Sequence, residues 1–195
     1  MITSLSQLDP DGSYNYADYL IWKLEERLEL IKGRIFKMIA PSRYHQEIAA
    51  NVFQHIRTHL YGTLCKAYFA PFDVRLIRHD KAKNKDIQTV VQPDICVICD
   101  PRKLDKKGCI GAPDLIIEIL SPGNTRKEMR DKYQVYEENG VKEYWLIHPD
   151  EKTIQIFRLN NEGIYYGIAP VLEGDILTTP VLLGLEIDVT EIFRD

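Results

Sequence analysis

Three acids and one lysine stand where a charge should be costly. In GAPDLIIEILSP, residues 111–122, Asp114 and Glu118 lie four positions apart among leucine and isoleucine. Side chains alternate along a strand, so Asp114, Ile116, Glu118 and Leu120 share one face and Leu115, Ile117 and Ile119 the other. A carboxylate flanked in this way is expensive to bury unless something neutralises or ligates it. Upstream, TVVQPDICVIC sets Asp94 after Pro93 and ahead of an apolar run. Two buried acids on separate strands could meet across a sheet and hold one divalent metal, and hard oxygen ligands favour magnesium or manganese. The competing explanation of each acid alone is a strand end or a salt bridge.

Lys132 falls within the arc of Met129, Tyr133, Val135 and Tyr136, the apolar side of a helix that follows the Glu118 strand. A lysine there either snorkels outward along its stem or reaches a buried acid. Because the helix starts a few residues after the strand ends, it should pack back on the same sheet and aim Lys132 at Glu118. Arg126 and Lys127 occupy its first turn, where the helix dipole disfavours cations. A docked anion such as a backbone phosphate would explain them, and so would simple solvation.

These residues need a scaffold, and the pattern supplies one in which helices and strands interleave. A short helix is expected near Tyr16–Lys23, then strand near Arg27–Met38 with a bend at Gly33. Ser42 is a candidate N-cap for a helix over Arg43–Leu60, whose apolar stripe is Ile48, Ala49, Val52, Phe53, Ile56 and Leu60. Strands follow near Cys65–Ile77, Ile87–Cys99 and Asp114–Leu120. The capping box Thr125-Arg126-Lys127-Glu128 opens the Lys132 helix, and Asn139-Gly140 closes it. VKEYWLIH and TIQIFRL read as two strands joined at Pro149-Asp150-Glu151, with further short strands in the tail. The class is α/β or α+β with a mixed central sheet flanked by helices. No repeat or linker divides residues 1–195, so one domain is expected.

The apolar fraction of 45% and charged fraction of 28% are ordinary for a globular chain. A net charge of −4 argues against a uniformly basic nucleic-acid coat. Local basic runs remain, RLIRHDKAKNK at 75–85 and RKLDKK at 102–107, either solvated or available to phosphates. No apolar run is long enough to cross a bilayer, and MITSLSQLDPDGSYNY lacks a secretory pattern, so the cytoplasm is the expected compartment. Of the cysteines 65, 96, 99 and 109, only Cys96 and Cys99 have a suggestive spacing. On a strand they point to opposite faces, so buried free thiols are expected rather than a zinc pair.

QPDI at 92–95, GAPDLIIEILSPGN at 111–124, RDKYQVYEENGVKEYW at 130–145 and RLELIKGRI at 27–35 together resemble the Uma-two family of restriction-endonuclease-like, PD-(D/E)xK proteins. The likeness runs from the Tyr14–Tyr19 segment to the closing GDILTTPVLLGLEIDVTEIF. It implies a restriction-endonuclease-like core with extra N- and C-terminal strands, and metal-dependent hydrolysis of DNA phosphodiester bonds. The superfamily's Pro-Asp falls on Pro93-Asp94 and its second acid on Glu118. The lysine expected two residues later is replaced by Leu120, and Lys132 on the next helix stands in for it. Glu29 and His45 match recurring positions of the family, with His45 preferred over Glu47 because it lies on its helix's apolar side. The implied site binds one or two Mg²⁺ (or Mn²⁺) ions through Asp94 and Glu118. Asp114, Glu29 or His45 would be further ligands or supporting groups, and Arg126 and Lys127 would hold phosphate. DNA is the implied partner, without a sequence preference that can be read, and a homodimer would suit cutting of both strands.

Three alternatives stand beside this, one of them a purely structural protein in which Asp94, Glu118 and Lys132 would be scattered in space. A nuclease fold that binds nucleic acid or a protein partner without cutting is compatible with the missing strand lysine. A different hydrolase finds less support: Ser121 is not on a G-x-S-x-G elbow, and His55 and His59 lack the glutamate of an H-E-x-x-H helix.

Overall fold

In the computed structural model the described residues are 2–77, 83–121 and 126–194, with the side chain of Lys127 also outside the description. Helix α1 (Tyr16–Tyr19) leads to a hairpin of β1 (Leu28–Ile31) and β2 (Arg34–Lys37). The long helix α2 (Arg43–His59) follows, then β3 (Lys66–Phe69), β4 (Val74–Arg75), β5 (Val90–Val91) and β6 (Ile95–Ile98). Next come β7 (Leu104–Asp105), β8 (Gly108–Ile110) and β9 (Leu115–Ile119). Helix α3 (Arg126–Asn139) crosses to β10 (Glu143–His148), which turns back as β11 (Thr153–Leu159). The described chain closes with β12 (Tyr165–Gly167), β13 (Val171–Leu172), β14 (Ile176–Thr178), β15 (Glu186–Asp188) and α4 (Val189–Ile192).

Among the described residues these strands form two large sheets and a small hairpin of β14 and β15. The central sheet runs β12-β11-β10-β9-β6-β3, with β13 also paired to β11, and is mixed: β9 and β10 are parallel, β6 and β9 antiparallel. The second sheet runs β2-β1-β5-β4-β8-β7. The fold is thus the expected α+β class, with two large sheets where the sequence pattern suggested one.

Burial on both faces explains why β9 reads as an almost unbroken apolar run. On one face Ile95, Val97, Leu115, Ile117 and Ile119 pack with Ile48, Val52 and Ile56 of α2. On the other, Cys96, Ile98, Ile116 and Leu146 pack with Val135 and Tyr136 of α3 and with Ile31, Val74 and Val91 of the second sheet. Each fully buried Val, Leu or Ile contributes about 1.5–3 kcal/mol, so both helices are strongly docked. Ser42 caps α2 as expected, accepting the His45 N–H at 3.1 Å. The parallel pair β9–β10 requires a crossover, which α3 provides by lying on the sheet face.

Some details depart from the sequence expectation. The first helix ends at Tyr19, and Ile21 and Trp22 continue in tighter turns that bring the Trp22 ring against Tyr14 and Tyr19. Cys99 is not a free thiol: it is disulfide-bonded to Cys65. The register Lys66–Ile98 places the two cysteines opposite each other one step beyond the β3–β6 ladder. Cys96 and Cys109 are the buried free thiols. Of the basic run 75–85, residues 78–82 lie outside the described residues, and Arg75 is buried against Asp105 at 2.6 Å and the Tyr16 ring. The capping residue Thr125 also lies outside them. No helix among the described residues is long and apolar enough to cross a membrane.

Candidate active site

The site is assembled at the end of the central sheet where β9 runs out. The antiparallel register of β6 and β9 pairs Ile95 with Ile117, so Asp94 sits opposite Glu118 one step further along. Both side chains project to the α3 face, since Asp94 alternates with Cys96 and Glu118 with Ile116. Asp94 Oδ2 accepts the Ile119 backbone N–H at 2.8 Å, which fixes its carboxylate against the strand end. The β1–β2 hairpin brings Glu29 from the second sheet. Its two-residue turn has Lys32 and Gly33 both at positive φ, 51° and 78°, the geometry that matches the twist of a tight hairpin. A Cβ at Gly33 would lie 2.6 Å from Ser13 Oγ, so the close approach of the N-terminal segment also requires glycine.

Lys132 joins the acids. Its Nζ lies 3.0 Å from Glu118 Oε1 and 3.0 Å from Glu29 Oε2, with all three side chains buried. Tyr136, one turn further along α3, donates its hydroxyl to the same Glu118 oxygen at 2.6 Å. Glu29 Oε1 accepts the Gln92 backbone N–H at 2.7 Å. Burial works against the Lys132 ammonium, but Glu118 and Glu29 outweigh it and hold its pKa well above the ordinary lysine value. Burial pushes the Glu118 carboxyl up to about 7; Lys132 pulls it down, while Asp94 and Glu29 add to the rise. The two directions are compatible because one lysine is shared between two buried glutamates: the amine gains from both, and each acid still faces another.

His45 closes the opposite side. Its Nε2 is 3.1 Å from the Ile119 carbonyl and 3.3 Å from Asp94 Oδ2, and its Nδ1 is buried without a partner among the described residues. Burial lowers the imidazole's pKa, but its contacts to Asp94 overcome this and leave it above the ordinary value. Asp94, Glu118, Glu29, His45 and Lys132 all line one cavity of ≈ 110 Å³, whose mouth also carries Arg27 and Lys37.

The remaining sequence candidates lie elsewhere. Asp114 stands at the other end of β9, bonded to the Cys99 N–H at 2.7 Å and to Lys142 at 2.6 Å. Arg126 is exposed on the first turn of α3 and does not line the cavity, and the Lys127 side chain lies outside the description. Glu47 sits on the outer side of α2, paired with Arg43. Three contributors escaped the sequence reading. Tyr136 was signalled only by its four-residue spacing from Lys132, Gln92 by adjacency to Pro93-Asp94, and Arg27 by no pattern.

A divalent cation is what this fold family implies, and the donor set suits one. Among the described residues no three His, Cys, Asp or Glu side chains converge as a closed metal cage. Mg²⁺ is commonly bound by only one or two carboxylates, with water and substrate phosphate completing its shell. Asp94 and Glu118 could provide such a pair, since Asp94 Oδ1 and Glu118 Oε2 take no hydrogen bond among the described residues.

The model of the Uma2 (Uma-two) family, described as "Putative restriction endonuclease", matches residues 16–190. A protein of Synechocystis sp. designated slr1290 and uncharacterised is 26% identical over 149 residues, covering 75% of this chain and 74% of that one. A crystal structure from Anabaena variabilis, titled as that of "a putative nuclease belonging to DUF820", superposes with a TM-score of 0.71 at 20% identity. It covers 92% of this chain and 97% of the other, and at that identity it establishes a shared fold. With a family match spanning most of its length, the chain belongs to the Uma2 family.

Proposed function

We propose that the protein is a metal-dependent endonuclease that hydrolyses DNA phosphodiester bonds at the cavity between β6, β9 and α3. The observation that supports this most is the meeting of Asp94, Glu118 and Lys132 on one cavity from two strands and a helix. Asp94 and Glu118 would hold Mg²⁺ or Mn²⁺. Such an ion lowers the pKa of water and offsets negative charge on a phosphate undergoing substitution. Lys132 keeps its proton, so it serves as a charged hydrogen-bond donor toward developing negative charge and not as a base. Tyr136 and Glu29 fix the geometry: one anchors Glu118, the other shares the ammonium and stops it from collapsing wholly onto Glu118.

The test is plasmid nicking with Mg²⁺ or Mn²⁺ alongside calorimetric metal titration. Asp94→Asn keeps an oxygen able to accept the Ile119 N–H but loses the charge. It should lose metal binding and cleavage together while melting near the wild-type temperature. Cleavage by this variant at the wild-type rate would overturn the assignment.

A second reading, a nuclease fold that binds without cutting, is favoured by one observation. Glu118 Oε1 is already bound by both Lys132 and Tyr136. Metal binding without nicking, on linear and supercoiled substrates alike, would select it.

A further inference from the structure

Arg27 differs in its environment from the other cations around the site. Lys132 is neutralised by Glu29 and Glu118, Arg75 by Asp105, and Lys37 stands 3.7 Å from Glu26. Arg27 makes no carboxylate ion pair among the described residues. Its guanidinium instead donates twice to one neutral oxygen, from Nε at 3.1 Å and Nη2 at 2.7 Å to Gln92 Oε1.

The orientation of that amide is not ambiguous. Gln92 Nε2 lies 2.9 Å from Asp73 Oδ1, and an ionised carboxylate can only accept a hydrogen bond. The amine end of Gln92 must therefore face Asp73, which turns the oxygen toward Arg27. The Tyr19 hydroxyl at 3.3 Å and the Gln92 backbone bond to Glu29 hold the residue from two further sides. Gln92 is buried, whereas Arg27 is exposed and lines the cavity that holds Asp94 and Glu118. A guanidinium has five N–H donors, of which Gln92 engages two. Three donors and a charge bonded to no carboxylate are left at the mouth of the cavity, with Asp73 acting on it only across Gln92. A glutamate at position 92 would neutralise the arginine and set a second carboxylate against Asp73; glutamine aims it without neutralising it.

We infer that Arg27 grips the phosphate backbone of the substrate at this cavity, and that Gln92 is the positioning residue that presents it. The inference rests on the nuclease reading above and adds to it the residue that recognises the substrate's anionic backbone. Guanidinium is suited to this because its planar fork meets two phosphate oxygens at once, which a lysine cannot match.

The test measures binding separately from cleavage. Fluorescence anisotropy follows a labelled oligonucleotide duplex, with Ca²⁺ in place of Mg²⁺, over a series of salt concentrations. Arg27→Ala should weaken binding about five- to twenty-fold. It should also make the dependence of log K on log salt shallower by about 0.9, the signature of one lost phosphate contact. Arg27→Lys should recover part of the affinity and the whole salt slope. Gln92→Glu should weaken binding although Arg27 is present, and adding it to Arg27→Ala should cost nothing further. In steady-state cleavage Arg27→Ala and Gln92→Glu should each raise KM more than they lower kcat. Unchanged affinity and salt slope in Arg27→Ala, with wild type binding and cutting, would overturn this inference and leave the nuclease reading standing. No binding or cutting by wild type would overturn both.

Discussion

Lys132 offers the sharpest test of how the site is held together. Replacing it with Met keeps the length of the side chain and removes the only cation bonded to Glu29 and Glu118 among the described residues. Glu29 is 1% exposed and Glu118 8%, so water can do little to compensate. Removing one partner of a buried ion pair typically costs about 3–5 kcal/mol, because the remaining charge is stranded. With a urea m-value of about 2 kcal/mol/M, the unfolding midpoint should fall by about 1.5–2.5 M near neutral or higher pH. The pH dependence has a definite sign. Glu118 already has a folded pKa of about 7, above its ordinary value of 4.5, so the native state binds its proton more tightly than the unfolded chain. Stability from this group therefore rises as pH falls through 7 toward 4.5. Without Lys132 the pull that lowers this pKa is gone, so the variant takes up its proton at still higher pH. The deficit of Lys132→Met should be largest near pH 8 and shrink steadily toward pH 5.5. Adding Glu29→Gln should recover part of the loss at pH 8, since one stranded charge disappears. A deficit below about 1 kcal/mol at pH 8, or one that stays constant or grows as pH falls, would refute the electrostatic account of this cluster.

Tyr136→Phe deletes the hydroxyl bonded to Glu118 at 2.6 Å and leaves the ring packing intact. It should cost about 1.5–3 kcal/mol in denaturant unfolding, with Glu118 titrating higher still in carboxyl NMR. Gly33→Val meets both a positive φ and the Ser13 Oγ contact. It should destabilise by more than about 1–2 kcal/mol and lower metal affinity through displacement of Glu29; an unchanged melting temperature would contradict the turn argument.

Much of the scaffold was readable because periodicity and local signals act over short stretches. Ser42 capping α2, the β9 run and the return of α3 over its own sheet all follow from neighbouring residues. Lys132 reaching Glu118 was legible for the same reason: a strand followed closely by a helix leaves little freedom in where the helix lies. Glu29 meeting that lysine was not derivable in this way, because it depends on how a second sheet docks against the first. The Cys65–Cys99 link escaped for a related reason. Strand alternation does place Cys96 and Cys99 on opposite faces, but the partner of Cys99 is set by the β3–β6 register, which local sequence does not encode. Asp114 and Glu118 share a face but stand at opposite ends of a five-residue strand, and Lys142 takes up the first of them.

Placing the ammonium on α3 and the two acids on the sheet divides the charged cluster between two separately anchored elements. The acids keep their spacing through the β6–β9 ladder, while the height and slant of the amine answer to how Val135 and Tyr136 seat the helix. A mutation under that helix can thus move the cation while leaving the backbone spacing of the acids unchanged, although Glu118 feels the loss of its Tyr136 and Lys132 bonds.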